Sequence, residues 1–323
     1  MLVNTIVTEN VDDAVEYLRA GRLVAFPTET VYGLGADAMN ESAVRGVFLV
    51  KGRPPSHPLI VHIGDTKYLE VFAKNITNSA RILAEKFWPG PLTLVLDKTD
   101  QVPEVVTGGQ SSVALRFPSH PIARDLLSKF GGGVVGPSAN KFGRLSPTQP
   151  NDVLSDLGGD IDLVLDGGAC TVGIESTIVG FDGNTPLLLR PGMITTEEIS
   201  SVLSVSVEPA GERAPRVSGS LPSHYAPNTP LILVKPNVLK SEIERRLSKN
   251  DRIAVLAFSD LSSFADHLYY VEVSSDAKVY ARTLYHELRE LDQKKCDAIL
   301  VEEVPTTNPW SGIRDRLLRA AYR

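Results

Sequence analysis

The chain of 323 residues carries 33 Lys and Arg against 39 Asp and Glu, a net charge of −6. That length exceeds one ordinary domain, and 42% hydrophobic with 22% charged residues is the make-up of a water-soluble globular protein. The acidic balance excludes broad, nonspecific nucleic-acid binding, which needs a basic face; cysteines at 170 and 296 alone, with no long apolar run or signal peptide, give a cytoplasmic protein without a membrane segment as the expectation.

Taken in chain order, Val11, Ala14, Val15 and Leu18 fall on one helical face that stops at Gly21. Leu23 to Phe26 predicts a buried strand, residues 40 to 50 a helix, and Leu59 to Ile63 a second strand. Strands follow at 92–96, 112–116, 177–179 and 187–189, with helices near 121–130 and 196–203. This alternation predicts an α/β domain over residues 1–205, its twisted sheet mixed rather than purely parallel and flanked by helices. Residues 206–229 are crowded with Pro, Gly and Ser and predict a linker. A smaller Rossmann-like α/β domain is expected over 230–323. Its strands fall at 231–234, 253–256 and 298–301 and its helices at 238–248 and 278–292, but it lacks the dinucleotide glycine fingerprint.

Two short stretches concentrate chemistry. Lys51-Gly52-Arg53-Pro54 sets two cations one residue apart at a helix end, and Ser138-Ala139-Asn140 sets a hydroxyl and a carboxamide at the same spacing after a glycine-rich turn. Such alternation sends both side chains of each pair to one face, and a cationic pair facing a neutral pair suits a nucleoside polyphosphate. Gly131 to Ser138 fails as a phosphate loop, because Pro137 stands where the lysine belongs. The six histidines show no zinc spacing, and no G-x-S-x-G is present. Each feature alone has a plainer reading: a solvated helix exit, a satisfied turn at Ser138 and Asn140, a core histidine at His62, a snorkelling Arg116, a packing role for Tyr225, a tight turn at Gly33 and Gly35.

Seven ordered motifs go further together. Pro27-Thr28-Glu29-Thr30-Val31-Tyr32-Gly33-Leu34-Gly35, the Lys51 stretch, Trp88-Pro89-Gly90-Pro91-Leu92-Thr93, Arg116-Phe117-Pro118, Pro137 to Asn140, Glu175-Ser176-Thr177 and Arg190-Pro191-Gly192 resemble the YrdC-type family of L-threonylcarbamoyl-adenylate synthases. Ser223-His224-Tyr225-Ala226-Pro227, with a further αβ domain behind it, matches the longer two-domain form. The resemblance implies a YrdC-like sheet with a concave active-site cleft. It also implies a nucleotidyltransferase reaction: L-threonine, bicarbonate and ATP give threonylcarbamoyl-AMP and pyrophosphate, for a partner transferase that modifies tRNA adenosine beside the anticodon.

Carried over residue by residue, the resemblance makes Lys51, Arg53, Ser138 and Asn140 catalytic. ATP contacts fall to Arg53, His57, Ser112, Ser138, Ser146, Arg190 and Tyr225, the last beside His224 in a linker lid. Threonine contacts fall to Thr30, His62, Arg116, Gly136 and Ser176. Mg²⁺ is expected to travel with ATP, with Glu29 and Glu175 as the available carboxylates and no dedicated cage. The alternative function is an RNA-binding or ribosome-associated factor; the acidic charge predicts at most weak RNA binding. A carbamoyl-transfer module of the hydrogenase-maturation kind would add a zinc region that two cysteines cannot supply. Val134-Val135 before Gly136, His57, and Arg216 to Pro222 before the Ser-His-Tyr segment depart from or vary against the family pattern.

Overall fold

A computed structural model describes residues 4–211, 214–221, 223–264 and 266–322. Met1 to Val3, Ala265 and Arg323 lie outside the described residues, as do Glu212, Arg213 and Pro222 of the expected linker. The chain divides into two compact units, one of residues 1–142 and 146–220, the other of 143–145 and 221–323.

The first unit is built on a mixed sheet of twelve described strands. At its centre Ile60–Ile63 runs parallel to Ser112–Arg116, with His62 opposite Arg116, and antiparallel to Gly133–Val135, with His62 opposite Val134. Leu92–Lys98 is antiparallel to Ser112–Arg116 and parallel to Thr177–Asp182. The period-two alternation of these strands splits their side chains cleanly. Val61, Ile63, Leu94, Leu96, Val113, Leu115 and Val179 enter the main core, under helices that include Glu41–Lys51, Asn78–Phe87 and Thr196–Leu203. Ile60, Val95, Ala114 and Ile178 face the other way, along with His62 and Arg116. Helices Val11–Arg19 and Pro121–Phe130 cover only part of that second face, over Val24, Phe26, Val134 and Leu163.

The expected elements are present within a residue or three of their predicted ends, and the sheet is mixed as expected. The tight turn read at Gly33 and Gly35 is a strand instead, Gly33–Asp37, and neither glycine has positive φ. Space, not backbone freedom, is the reason for glycine here: a Cβ on Gly35 would meet the Val24 carbonyl at 2.8 Å and the Phe26 ring at 3.1 Å. Gly133–Val135, read as part of a glycine-rich turn, is likewise a strand.

In the second unit all four described strands are parallel, in the order Leu231–Val234, Ala298–Glu302, Ile253–Ala257, Tyr269–Glu272. Helices Leu239–Leu247, Ala277–Gln293 and Ser311–Ala321 accompany them. Buried Glu302, at a strand's carboxyl end, is satisfied by the backbone N–H groups of Phe258 and Ser259 and the Ser259 hydroxyl.

Candidate active site

The second face of the large sheet collects polar groups at strand ends. Arg116 and Arg190 are each the last residue of a strand, Ser176 immediately precedes one, and Gly136 immediately follows one. Helix Glu41–Lys51 ends at Gly52 in the left-handed region (φ 63°), which only glycine adopts cheaply, and the Arg53 N–H then returns to the Phe48 carbonyl.

Lys51 meets the Ser138–Asn140 turn directly. The Lys51 ammonium is buried and donates to the Ser138 carbonyl at 2.5 Å and the Asn140 carbonyl at 2.6 Å, with Asn140 Oδ1 at 3.5 Å. Burial, and then the neighbouring Arg53 cation, push the Lys51 amine well below the ordinary lysine value, while its oxygen partners favour the charged form. Lys51 thus holds the backbone of the turn. Arg53 donates to the Pro58 carbonyl at 2.9 Å and the Ser218 hydroxyl at 3.4 Å, and its guanidinium lies 5.7 Å from the centre of the Phe142 ring. His57 meets the same ring edge-on, its pKa lowered by burial and then by Arg53 and Arg216.

Of the expected threonine residues, Thr30, His62, Arg116 and Gly136 lie together. Arg116 Nη1 donates to the Thr30 hydroxyl at 2.8 Å and Nε to the Gly90 carbonyl at 3.4 Å. Nη2 lies 2.8 Å from Glu29 Oε1 in a buried ion pair. Across the strand pair, His62 is buried with Nδ1 unpartnered; burial, then the Arg116 charge, lower its pKa to about 3, leaving a neutral ring. Gly136 keeps that nitrogen open, since a Cβ there would sit 2.8 Å from it. Ser176 bonds the Thr93 hydroxyl at 2.7 Å and accepts from Arg190.

The remaining expected nucleotide contacts do not gather at one point. Ser112 and Arg116 share one strand face four residues apart, about 13 Å at the usual rise. Ser112 lines a cavity of about 790 Å³ with Asn75, Thr77, Gln110 and Arg216. The buried Ser146 hydroxyl donates to Glu175 Oε1 at 2.5 Å. Arg190 donates to the carbonyls of Ser176 and Ser218 at 2.9 and 2.8 Å. Tyr225 belongs to the second unit and is buried. Its φ is 59°, it is buried beside His224 and Tyr285, and the Arg316 guanidinium lies 5.1 Å from its ring centre.

Sequence reasoning missed the strap of residues 214–220. Val217 plugs the apolar patch of Ile60, Val95, Ala114 and Ile178, Gln110 bonds both backbone groups of Arg216, and Ser218 reaches both Arg53 and Arg190. Only the lone Val217 in a Pro/Gly/Ser-rich stretch hinted at it. Glu29 was expected only as a metal candidate. It does not fit a cation, because Arg116 and the Ser119 N–H already engage its carboxylate. Among the described residues no group of three His, Cys, Asp or Glu is placed to hold a metal. None of the described helices is long and apolar enough to cross a membrane.

A two-unit α/β protein whose large mixed sheet carries buried polar groups and arginines at its strand ends is the class this geometry defines. Residues 16–192 match the Sua5/YciO/YrdC family model, described as telomere recombination, and residues 194–322 match the threonylcarbamoyl-AMP synthase C-terminal domain. The chain belongs to this family, as its motifs led us to expect. Proteins named threonylcarbamoyl-AMP synthase from Pyrococcus abyssi and Bacillus subtilis are 39% and 38% identical to it, over 96% and 95% of this chain and 94% and 92% of their own. The Sua5 protein of Pyrococcus abyssi, solved in complex with L-threonine, is 36% identical and superposes with a TM-score of 0.88, over 99% of this chain and 98% of that one.

Proposed function

We propose that this chain is an L-threonylcarbamoyl-adenylate synthase: threonine, bicarbonate and ATP give threonylcarbamoyl-AMP, pyrophosphate and water. The product then serves a tRNA threonylcarbamoyl transferase acting on adenosine next to the anticodon. The observation that carries the reading is buried Arg116 opposite His62 in the strand pair, with His62 Nδ1 buried and without a hydrogen-bond partner. A buried polar atom without a partner is costly unless a ligand completes it, and a guanidinium beside a neutral imidazole fits a carboxylate and a hydroxyl. The relatives' names and the threonine complex of one of them support the same ligand.

In this scheme Arg116 takes the threonine carboxylate, while Thr30, His62 and Ser176 surround its remainder, with Gly136 supplying room. Bicarbonate gives carbon dioxide and hydroxide, the hydroxide takes a proton from the threonine ammonium to leave as water, and the freed amine attacks carbon dioxide to form a carbamate, releasing its second proton to solvent. A carbamate oxygen then attacks the α-phosphorus of ATP, and the bond from that phosphorus to the bridging oxygen of pyrophosphate breaks. No protein nucleophile is required, so positioning and charge carry the rate. Arg53 and Arg190 supply the cations for the phosphates, exchanging their Ser218 contacts for phosphate oxygens. Lys51 keeps the Ser138–Asn140 turn in shape and puts a positive charge behind it. Ser112 and Ser146 contribute neutral hydrogen bonds at the outer ends.

The test is pyrophosphate release from ATP by the purified protein, with bicarbonate and with threonine, serine or no amino acid. Release that needs bicarbonate and favours threonine is the expected result. Release indifferent to the amino acid, or none from folded protein, rejects the reading.

A further inference from the structure

Glu29 takes no part in the scheme above, yet it sets the charge of the Arg116 subsite. Both side chains are nearly sealed from solvent, 4% exposed for Arg116 and 5% for Glu29. Glu29 Oε1 contacts Arg116 Nη2 at 2.8 Å, and Oε2 accepts the Ser119 N–H at 3.1 Å. The Glu29 carbonyl accepts the Val172 N–H at 2.7 Å, which pins this segment to a second loop. With Thr30 on Nη1 and Gly90 on Nε, the guanidinium is fixed from three sides.

An arginine with its own buried counter-ion is a different device from a bare cation. A bare buried guanidinium accepts any anion that fits, including bicarbonate, phosphate or a 2-hydroxy acid. The Arg116–Glu29 pair is neutral, so a simple carboxylate arriving there leaves one uncompensated negative charge in a buried place, the situation burial penalises most. An α-amino acid brings its own ammonium and leaves the subsite neutral. Neighbouring His62 cannot supply a compensating charge near neutrality, being neutral itself.

We infer that Glu29 is a positioning and selectivity residue that makes the Arg116 subsite accept α-amino-acid zwitterions and refuse simple anions. This rests on Arg116 being the carboxylate subsite of the proposed synthase. Thr28 supports the arrangement, its hydroxyl lying 2.9 Å from that of Thr30 and donating to the Val31 carbonyl.

The experiment is titration calorimetry on the full-length protein and Glu29→Gln, with L-threonine and with 2,3-dihydroxybutyrate, its 2-hydroxy analogue. Two buffers of different ionisation enthalpy report proton uptake. The wild type should prefer threonine by about tenfold or more, and any binding of the hydroxy acid should take up a proton that threonine does not need. In Glu29→Gln the preference should collapse or invert, the hydroxy acid binding more tightly than to the wild type and threonine more weakly. Equal weakening of both ligands means that Glu29 only supports the fold and overturns the inference. Wild-type protein that binds the hydroxy acid as tightly as threonine, without proton uptake, overturns it without any variant. Wild-type protein that binds ATP but no threonine sinks the substrate reading, and this inference with it.

Discussion

His62 is held neutral by burial, and that fixes the sign of one pH effect. Its folded pKa, about 3, lies below the unfolded value near 6.5, so between these limits the unfolded chain binds more protons. The stability His62 contributes is complete above pH 6.5 and falls as the pH drops towards 3, at up to about 1.4 kcal/mol per unit. Urea midpoints at pH 7, 6 and 5 should fall less steeply for His62→Asn than for the wild type. Parallel slopes would show that His62 titrates normally in the fold. Lys51 and Arg53 separate in the same way. From the sequence both look like phosphate cations, but Lys51→Ala strips a buried turn of the donor to two carbonyls, an effect of about 2 kcal/mol or more, whereas Arg53→Ala leaves that turn intact. Chemical denaturation should find Lys51→Ala the less stable of the two while turnover falls in both. A stable but inactive Lys51→Ala would return Lys51 to a purely catalytic role.

Among the elements, glycines give the sharpest contrast. Gly35 lies in a strand with a carbonyl and an aromatic ring where its Cβ would go, so Gly35→Ala should cost about 1–3 kcal/mol through overpacking. Gly46 sits inside helix Glu41–Lys51, its Cβ position 3.6 Å from Leu23 at closest, an ordinary contact. Gly46→Ala should therefore stabilise by about 0.5–1 kcal/mol, as removal of a helix-interior glycine does. Thermal unfolding of the two variants checks both signs at once, and two losses of equal size would contradict the packing argument. The same glycines mark where the sequence was legible and where it was not. Runs such as Leu231–Val234 declare themselves by composition, and helix Glu41–Lys51 by its period. The strand Gly33–Asp37 does not, because Gly-Leu-Gly reads equally as a turn, and only the Phe26 ring across the sheet decides. At the site, motif order pointed to Arg116, Thr30 and His62. The Arg116–Thr30 contact spans 86 residues, and the Glu29 ion pair beside it is a product of topology that no local pattern encodes.

At the scale of the whole molecule, the two units draw their cores from separate stretches of chain. Val234, Leu239, Ile243, Ile253, Val255, Leu261 and Leu300 make one core, and the large sheet with its helices makes another whose buried residues run no further than Ile199, with Val202, Leu203 and Val207 packed against it. Every group assigned to threonine, from Thr30 to Ser176, lies in the first unit, and so does the strap through Val217 and Ser218. A fragment of residues 1–220 thus contains its main core, its strap and the complete amino-acid cluster. It should unfold cooperatively and bind L-threonine with a Kd within about threefold of the full chain, a difference below 1 kcal/mol. A second fragment ending at residue 205 keeps every fully buried residue of that core but loses the strap, which uncovers Ile60, Val95, Ala114 and Ile178 and leaves Arg53 and Arg190 without Ser218. Its threonine affinity should persist while exposed apolar surface makes it bind a hydrophobic dye. Loss of threonine binding already in the 1–220 fragment, despite a cooperative transition, would mean that the cluster around Arg116 is not a self-sufficient amino-acid site.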